Sequence, residues 1–250
     1  MRYASRFTLF ACAMALFAGT HALSDAPGTQ SGPTPYPTRN EDWPGKGVIR
    51  TFGWMKDNRN FFWTERAKKQ GAIVFAGDSL TANWKTLGAD FSGTLVANRG
   101  IGGDVSRGLL FRFQEDVLDL HPKAIVILIG INDLTARQPA SATLENIRSM
   151  LSLKEAQQPQ VPVFLCTVPP SANPKAPVDE QQRRQLNQGL RQIAKDTKLV
   201  TLVDLYAATA THAGTPELRY FTDDQLHLSA EGRARWKEVL QPAMQRAGVL

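Results

Sequence analysis

From residue 72 onward the chain alternates between short, almost wholly apolar runs and longer helical stretches. The runs are Ala-Ile-Val-Phe-Ala at 72–76, Leu-Val-Ala at 95–97, Ala-Ile-Val-Ile-Leu-Ile at 124–129, the segment 161–168, and Leu-Val-Thr-Leu-Val at 199–203. A strand that is apolar at successive positions is buried on both faces, as in a parallel sheet covered by helices. Helices are expected at 53–70, 105–120, 140–157, 178–196 and 229–246. The alternation predicts an α/β fold, a three-layer α/β/α sandwich on a five-stranded parallel sheet. In such a sheet ligands bind at the carboxyl ends of the strands.

The first 47 residues read differently. Arg2 and Arg6 precede the apolar run 7–18, which ends near Thr20-His21-Ala22. A basic start, a short apolar stretch and small residues at a cleavage site predict a signal peptide over 1–22, and with it a secreted or periplasmic protein. The run is too short for a hydrocarbon core that needs roughly 20 residues, so no stable membrane insertion is expected. Residues 23–47, rich in Pro, Gly, Thr and Ser, read as an extended leader. A single domain is expected over 48–250. Cleavage at 22 takes Cys12 with it and leaves Cys166 without a disulfide partner; in its apolar strand that thiol reads as buried and inert.

Among 250 residues, 42% are hydrophobic and 21% charged, which suits one globular domain and excludes a disordered or collagen-like chain. The formal charge of +6 falls to +4 without Arg2 and Arg6, and the basic residues form no run, so nucleic-acid binding is not expected.

The polar residues at the ends of the apolar runs carry the chemistry. Gly77-Asp78-Ser79 follows the first strand, and Asn98-Arg99-Gly100-Ile101-Gly102-Gly103-Asp104 the second. Gly130-Ile131-Asn132-Asp133 follows the third, and Asp223-Asp224-Gln225-Leu226-His227 stands just before the last helix. Brought to one crevice they offer a hydroxyl, an imidazole, a carboxylate, a carboxamide and glycine amides, the groups that acyl transfer needs. A serine hydroxyl is a weak nucleophile without an adjacent base, and Asp224 is spaced to hold the other ring nitrogen of His227. Asp223 is set aside by spacing. Each group also has a plainer reading: Asn132-Asp133 as a turn, His227 as a helix cap, Asp78 and Asp104 as acceptors of loop amides. His121 and His212 receive no role. No metal-ligand spacing, dinucleotide fingerprint or phosphate loop occurs, and no metal or cofactor is called for.

Four blocks in this order resemble the SGNH (GDSL) hydrolase superfamily. The stretch 98–104 is similar to bacterial relatives of the platelet-activating-factor acetylhydrolase catalytic subunit. The resemblance covers 71 to the C-terminus and implies a flavodoxin-like sheet. It implies Ser79 as nucleophile, His227 as base and Asp224 as its partner. The oxyanion hole would be formed by the Ser79 and Gly103 backbone N–H groups and the Asn132 side chain. The implied activity is hydrolysis of short acyl esters, O-acetyl above all, on a small molecule or a carbohydrate. The alternatives are a lysophospholipase or thioesterase on longer chains, an O-acyltransferase, and a carbohydrate-binding protein without catalysis. Trp84, Arg107 and Arg137 are candidates to line the crevice, whose shape depends on the loops 83–93, 134–139 and 169–178.

Overall fold

The computed structural model describes residues 31–250. The expected signal peptide at 1–22, with Cys12 and His21, and the first part of the expected leader lie outside the described residues. Helix α1 (Gly53–Glu65) precedes β1 (Ile73–Gly77), and α2 (Ser79–Ala82) and α3 (Leu87–Asp90) separate β1 from β2 (Val96–Gly100). Then come α4 (Ser106–Asp116), β3 (Ala124–Leu128), α5 (Ile131–Thr135), α6 (Ala140–Gln157) and β4 (Val163–Cys166). The chain closes with α7 (Glu180–Asp196), β5 (Val200–Val203), α8 (Leu205–Thr209) and α9 (Ala230–Arg246).

The five strands form one parallel sheet in the order β2-β1-β3-β4-β5. This is the expected three-layer sandwich in the flavodoxin-like order, which reverses direction between β1 and β3 and so opens a crevice there. β1 and β3 are buried at every position, as continuous apolar runs require. β5 is an edge strand, which is why Thr201 is tolerated there, facing solvent. Helices α4, α6 and α7 pack side by side on one face. On the other, α9 meets β4 and β5, and Trp236 from α9 joins Phe75, Trp84 and Phe91 in a cluster with ring centroids 5.1 to 6.4 Å apart. The caps are local: Asp179 accepts from the N–H groups of Gln181 and Gln182 at the start of α7, and Ser229 from Gly232 at the start of α9. Among the described residues no helix is long and apolar enough to cross a membrane.

The segment expected as a leader is extended in its described part, but it packs on the domain, and the compact unit begins at Gly32. Trp43 is 5% exposed, stacked on Tyr36 and packed against Phe111 of α4. The Arg107 guanidinium donates to the carbonyls of Asn40, Trp43, Pro44 and Gly47. Composition marks this stretch as an extended leader, and apart from one 3-10 turn over Asn40–Asp42 it forms no helix or strand; its attachment depends on partners more than 60 residues away in sequence.

Candidate active site

The end of β1 delivers Ser79. Asp78 caps α2 by accepting from the Leu80 N–H at 2.9 Å, which places Ser79 at the first helical position. The end of β2 lies so close to this turn that a Cβ on Gly100 would fall 2.3 Å from the Ala82 nitrogen; only glycine fits. The following turn holds Gly103 at φ +82°, in the left-handed region that glycine enters without strain. Asn132 lies on α5, beyond β3. Asp224 and His227 belong to a loop closed by the Thr222 N–H donating to the His227 carbonyl, with Phe221 and Leu228 paired across its base.

Three of the expected residues meet. His227 Nε2 is 2.9 Å from Ser79 Oγ, and His227 Nδ1 is 2.5 Å from Asp224 Oδ2. Asp224 Oδ1 accepts from the Thr222 hydroxyl and from the N–H groups of Leu226 and His227. Partial burial pushes the Asp224 carboxyl up, but these bonds, with the imidazole, prevail and hold it well below the usual carboxylate range. An ionised carboxylate only accepts, so the proton sits on Nδ1 and the Nε2 lone pair faces the Ser79 hydroxyl. Asp223 is exposed and has no hydrogen-bond partner among the described residues.

The Gly102–Gly103 turn lies against Ser79: a Cβ on Gly102 would be 4.0 Å from the Ser79 Cβ. No acceptor among the described residues takes the N–H of Ser79 or of Gly103. Asn132 Nδ2 donates one hydrogen to the Asp104 carbonyl at 2.9 Å, which orients the amide and leaves its second hydrogen available.

A buried ionic layer supports these loops. Arg112, fully buried, donates to Asp104 and Asp116 and to the carbonyls of Gly77 and Arg99, so one side chain ties the ends of β1 and β2 to α4. Burial pushes the Asp104 carboxyl up to about 6 although Arg112 opposes it, and the Asp78 carboxyl up to about 8. Asp133 accepts from the Ser106 N–H and hydroxyl and from the Thr143 hydroxyl; Gln138 donates to it as well, so it braces α5. Asp104 accepts a loop amide as expected, that of Val105, and also pairs with Arg112, whereas Asp78 accepts from Leu80 inside α2 as its cap.

Of the three candidate lining residues, Trp84 is 1% exposed, in the core, with its indole N–H on Asp90. Arg107 is held by the leader as described, and Arg137 is exposed, with no side-chain hydrogen bond or ion pair among the described residues. The side chains that do reach the site are Arg50, Phe52 and Trp54. Arg50 Nη1 is 3.3 Å from Asn132 Oδ1, Phe52 covers Gly103, and the Trp54 indole N–H donates to the Gly102 carbonyl at 2.9 Å. They lie outside every motif; the only signal was an unusual density of aromatic residues before the first strand. Cys166 is buried, its thiol pushed up to about 12 by burial, as inert as its apolar strand suggested. Among the described residues no three His, Cys, Asp or Glu side chains gather to hold a metal ion.

Comparison with known proteins gives the same assignment as the strand-end blocks. Residues 75–235 match the model of the GDSL-like lipase/acylhydrolase family. The rat platelet-activating factor acetylhydrolase IB subunit alpha2 is 27% identical over 189 residues, 73% of this chain and 79% of the relative. Human subunit alpha1 is 28% identical over 169 residues, 65% of this chain and 68% of the relative. A GDSL-like lipase from Bacteroides thetaiotaomicron superposes with a TM-score of 0.67 at 29% identity, covering 75% of this chain and 97% of that one. The protein belongs to the GDSL-like lipase/acylhydrolase family within the SGNH hydrolases, and is an ester-hydrolysing enzyme.

Proposed function

We propose that this protein is a serine esterase of short acyl esters, O-acetyl esters foremost, exported by the segment 1–22. The observation that carries the reading is the continuous hydrogen-bonded path Asp224–His227–Ser79. As the Ser79 oxygen attacks the ester carbonyl, its proton passes to His227 Nε2, and the imidazolium formed is stabilised by Asp224. The oxyanion is met by the Ser79 and Gly103 amides and the free hydrogen of Asn132. Collapse of the tetrahedral adduct breaks the bond to the alcohol, which leaves with the proton from His227. Water, deprotonated by His227, then attacks the acyl-serine; its second collapse releases the acid and returns the proton to Ser79. The acetyl preference draws on the relatives, which are named as acetylhydrolases. Ser79→Ala is expected to abolish hydrolysis of p-nitrophenyl acetate while the circular dichroism spectrum stays that of the wild type. Along a series of p-nitrophenyl esters kcat/KM should peak at the acetate. A peak at octanoate or beyond would make the enzyme a long-chain acylhydrolase, and retained activity in the alanine variant would remove Ser79 as nucleophile.

A further inference from the structure

The Gly102–Gly103 turn has no side chains with which to wall the cleft, and residues 50, 52 and 54 stand where such a wall belongs. Phe52 and Trp54 stack on each other with ring centroids 4.5 Å apart and planes at 16°. They are nonetheless 40% and 52% exposed, among the largest uncovered apolar side chains of the described residues. The pair is fixed: Phe52 lies against Gly103, where a Cβ would come within 3.2 Å of its ring, and the one polar atom of Trp54 is tied to the Gly102 carbonyl. The exposed outer face of a rigid aromatic stack beside the proposed oxyanion hole stabilises a ligand ring laid on it.

Arg50 adds charge. Its guanidinium reaches only neutral oxygens, Asn132 Oδ1 at 3.3 Å and Thr135 Oγ1 at 3.5 Å. Among the described residues no carboxylate pairs with it. A guanidinium has five N–H donors, so most of them remain for an anionic partner. A cation on the aromatic surface would be repelled by Arg50, and the surface is open where recognition of an ammonium needs a cage.

We infer that residues 50–54 form the subsite for the alcohol half of the substrate: a sugar ring laid on the outer face of the Phe52–Trp54 stack, bearing a carboxylate directed at Arg50. The substrate class is thus an O-acetylated acidic saccharide. The inference rests on the esterase reading above, and its test separates the two. The wild-type enzyme and variants are assayed on ethyl acetate, on an acetylated methyl glycoside of a neutral hexose, and on the corresponding uronic acid glycoside. For the wild type kcat/KM should rise about tenfold or more at each step of that series. Phe52→Ala/Trp54→Ala should cut the preference for the hexose ester over ethyl acetate about tenfold. Arg50→Gln should cut the preference for the uronate over the neutral hexose about tenfold, with the loss in KM, and Arg50→Lys should restore part of it. A wild type that turns over ethyl acetate as well as the glycosides overturns the subsite whether or not the variants fold. Equal loss on all three substrates in Arg50→Gln also overturns it, since Arg50 would then act only by orienting Asn132. A wild type inactive on every acetate removes the esterase reading itself.

Discussion

Arg112→Met tests whether the buried ionic layer holds the catalytic loops. The substitution keeps the approximate length of the side chain but leaves Asp104 and Asp116, 1% and 4% exposed, without their shared cation. Breaking a buried ion pair from one side costs about 3–5 kcal/mol, because the remaining charge stays desolvated. The Gly77 and Arg99 carbonyls also lose a donor. Taking about 4 kcal/mol, and about 2–4 °C per kcal/mol for a domain of this size, Tm at pH 8 should fall by about 8–16 °C. The loss should depend on pH with a definite sign. With Arg112 present, Asp104 already titrates at about 6, above its unfolded value. Between the two values the native state holds a proton that the unfolded chain has released, so stability falls as pH rises through that window. Removing Arg112 raises the folded value further and extends the fall to higher pH. The gap between variant and wild type is therefore widest near pH 8 and narrows near pH 5, where Asp104 is neutral in both. Thermal melts followed by circular dichroism at the two pH values measure it. A drop under about 3 °C at pH 8, or a larger gap at pH 5 than at pH 8, would refute the reasoning.

Two further outcomes follow from the site. Asn132→Ala should lower kcat on p-nitrophenyl acetate by about 10²–10³ with a smaller change in KM, as for loss of one oxyanion donor; a loss below fivefold would mean that the amide does not face the oxyanion. Asp78→Asn should remove a pH-dependent cost: burial pushes this carboxyl up to about 8, so the native protein loses stability as pH rises from the ordinary carboxylate range toward 8. The Tm of the variant relative to wild type should therefore climb between pH 5 and 8.5, and a constant offset would show that Asp78 is ionised throughout.

What was legible in the sequence divides by the range of the interactions concerned. β1 and β3 are central strands whose every position is buried, so local composition alone reveals them. β2 was expected to end at Ala97 but continues through Asn98-Arg99-Gly100. Those residues look like a loop because they are polar, yet the Asn98 amide folds back to the Thr81 carbonyl and Arg99 packs its guanidinium over Phe62. The helices α2, α3, α5 and α8, four or five residues each, are too short to show a period. Ser79, Asn132, Asp224 and His227 could be read because each sits in a block where backbone and side chain serve one turn. The same local logic failed for Trp84, which looked free in a polar loop but is drawn under α9 by Trp236.

The division between what the motifs contain and what they lack has a chemical reason. A main-chain amide proposed as oxyanion donor at 103 needs glycine there, since the backbone lies at φ +82° and a Cβ would come within 3.2 Å of the Phe52 ring. A turn so built cannot also carry the side chains that choose a substrate. Those are supplied from elsewhere, and here they come from residues 50–54, outside the 75–235 match to the family model. That segment is held in place by Val48 donating to Gln138 and by the carbonyls that Arg107 gathers from residues 40–47. Gln138 donates in turn to Asp133, the neighbour of Asn132. The proposed wall of the cleft and the Asn132 loop therefore share one hydrogen-bonded anchor, so a change in the leader that frees Val48 should reach the Asn132 amide as well as the proposed subsite.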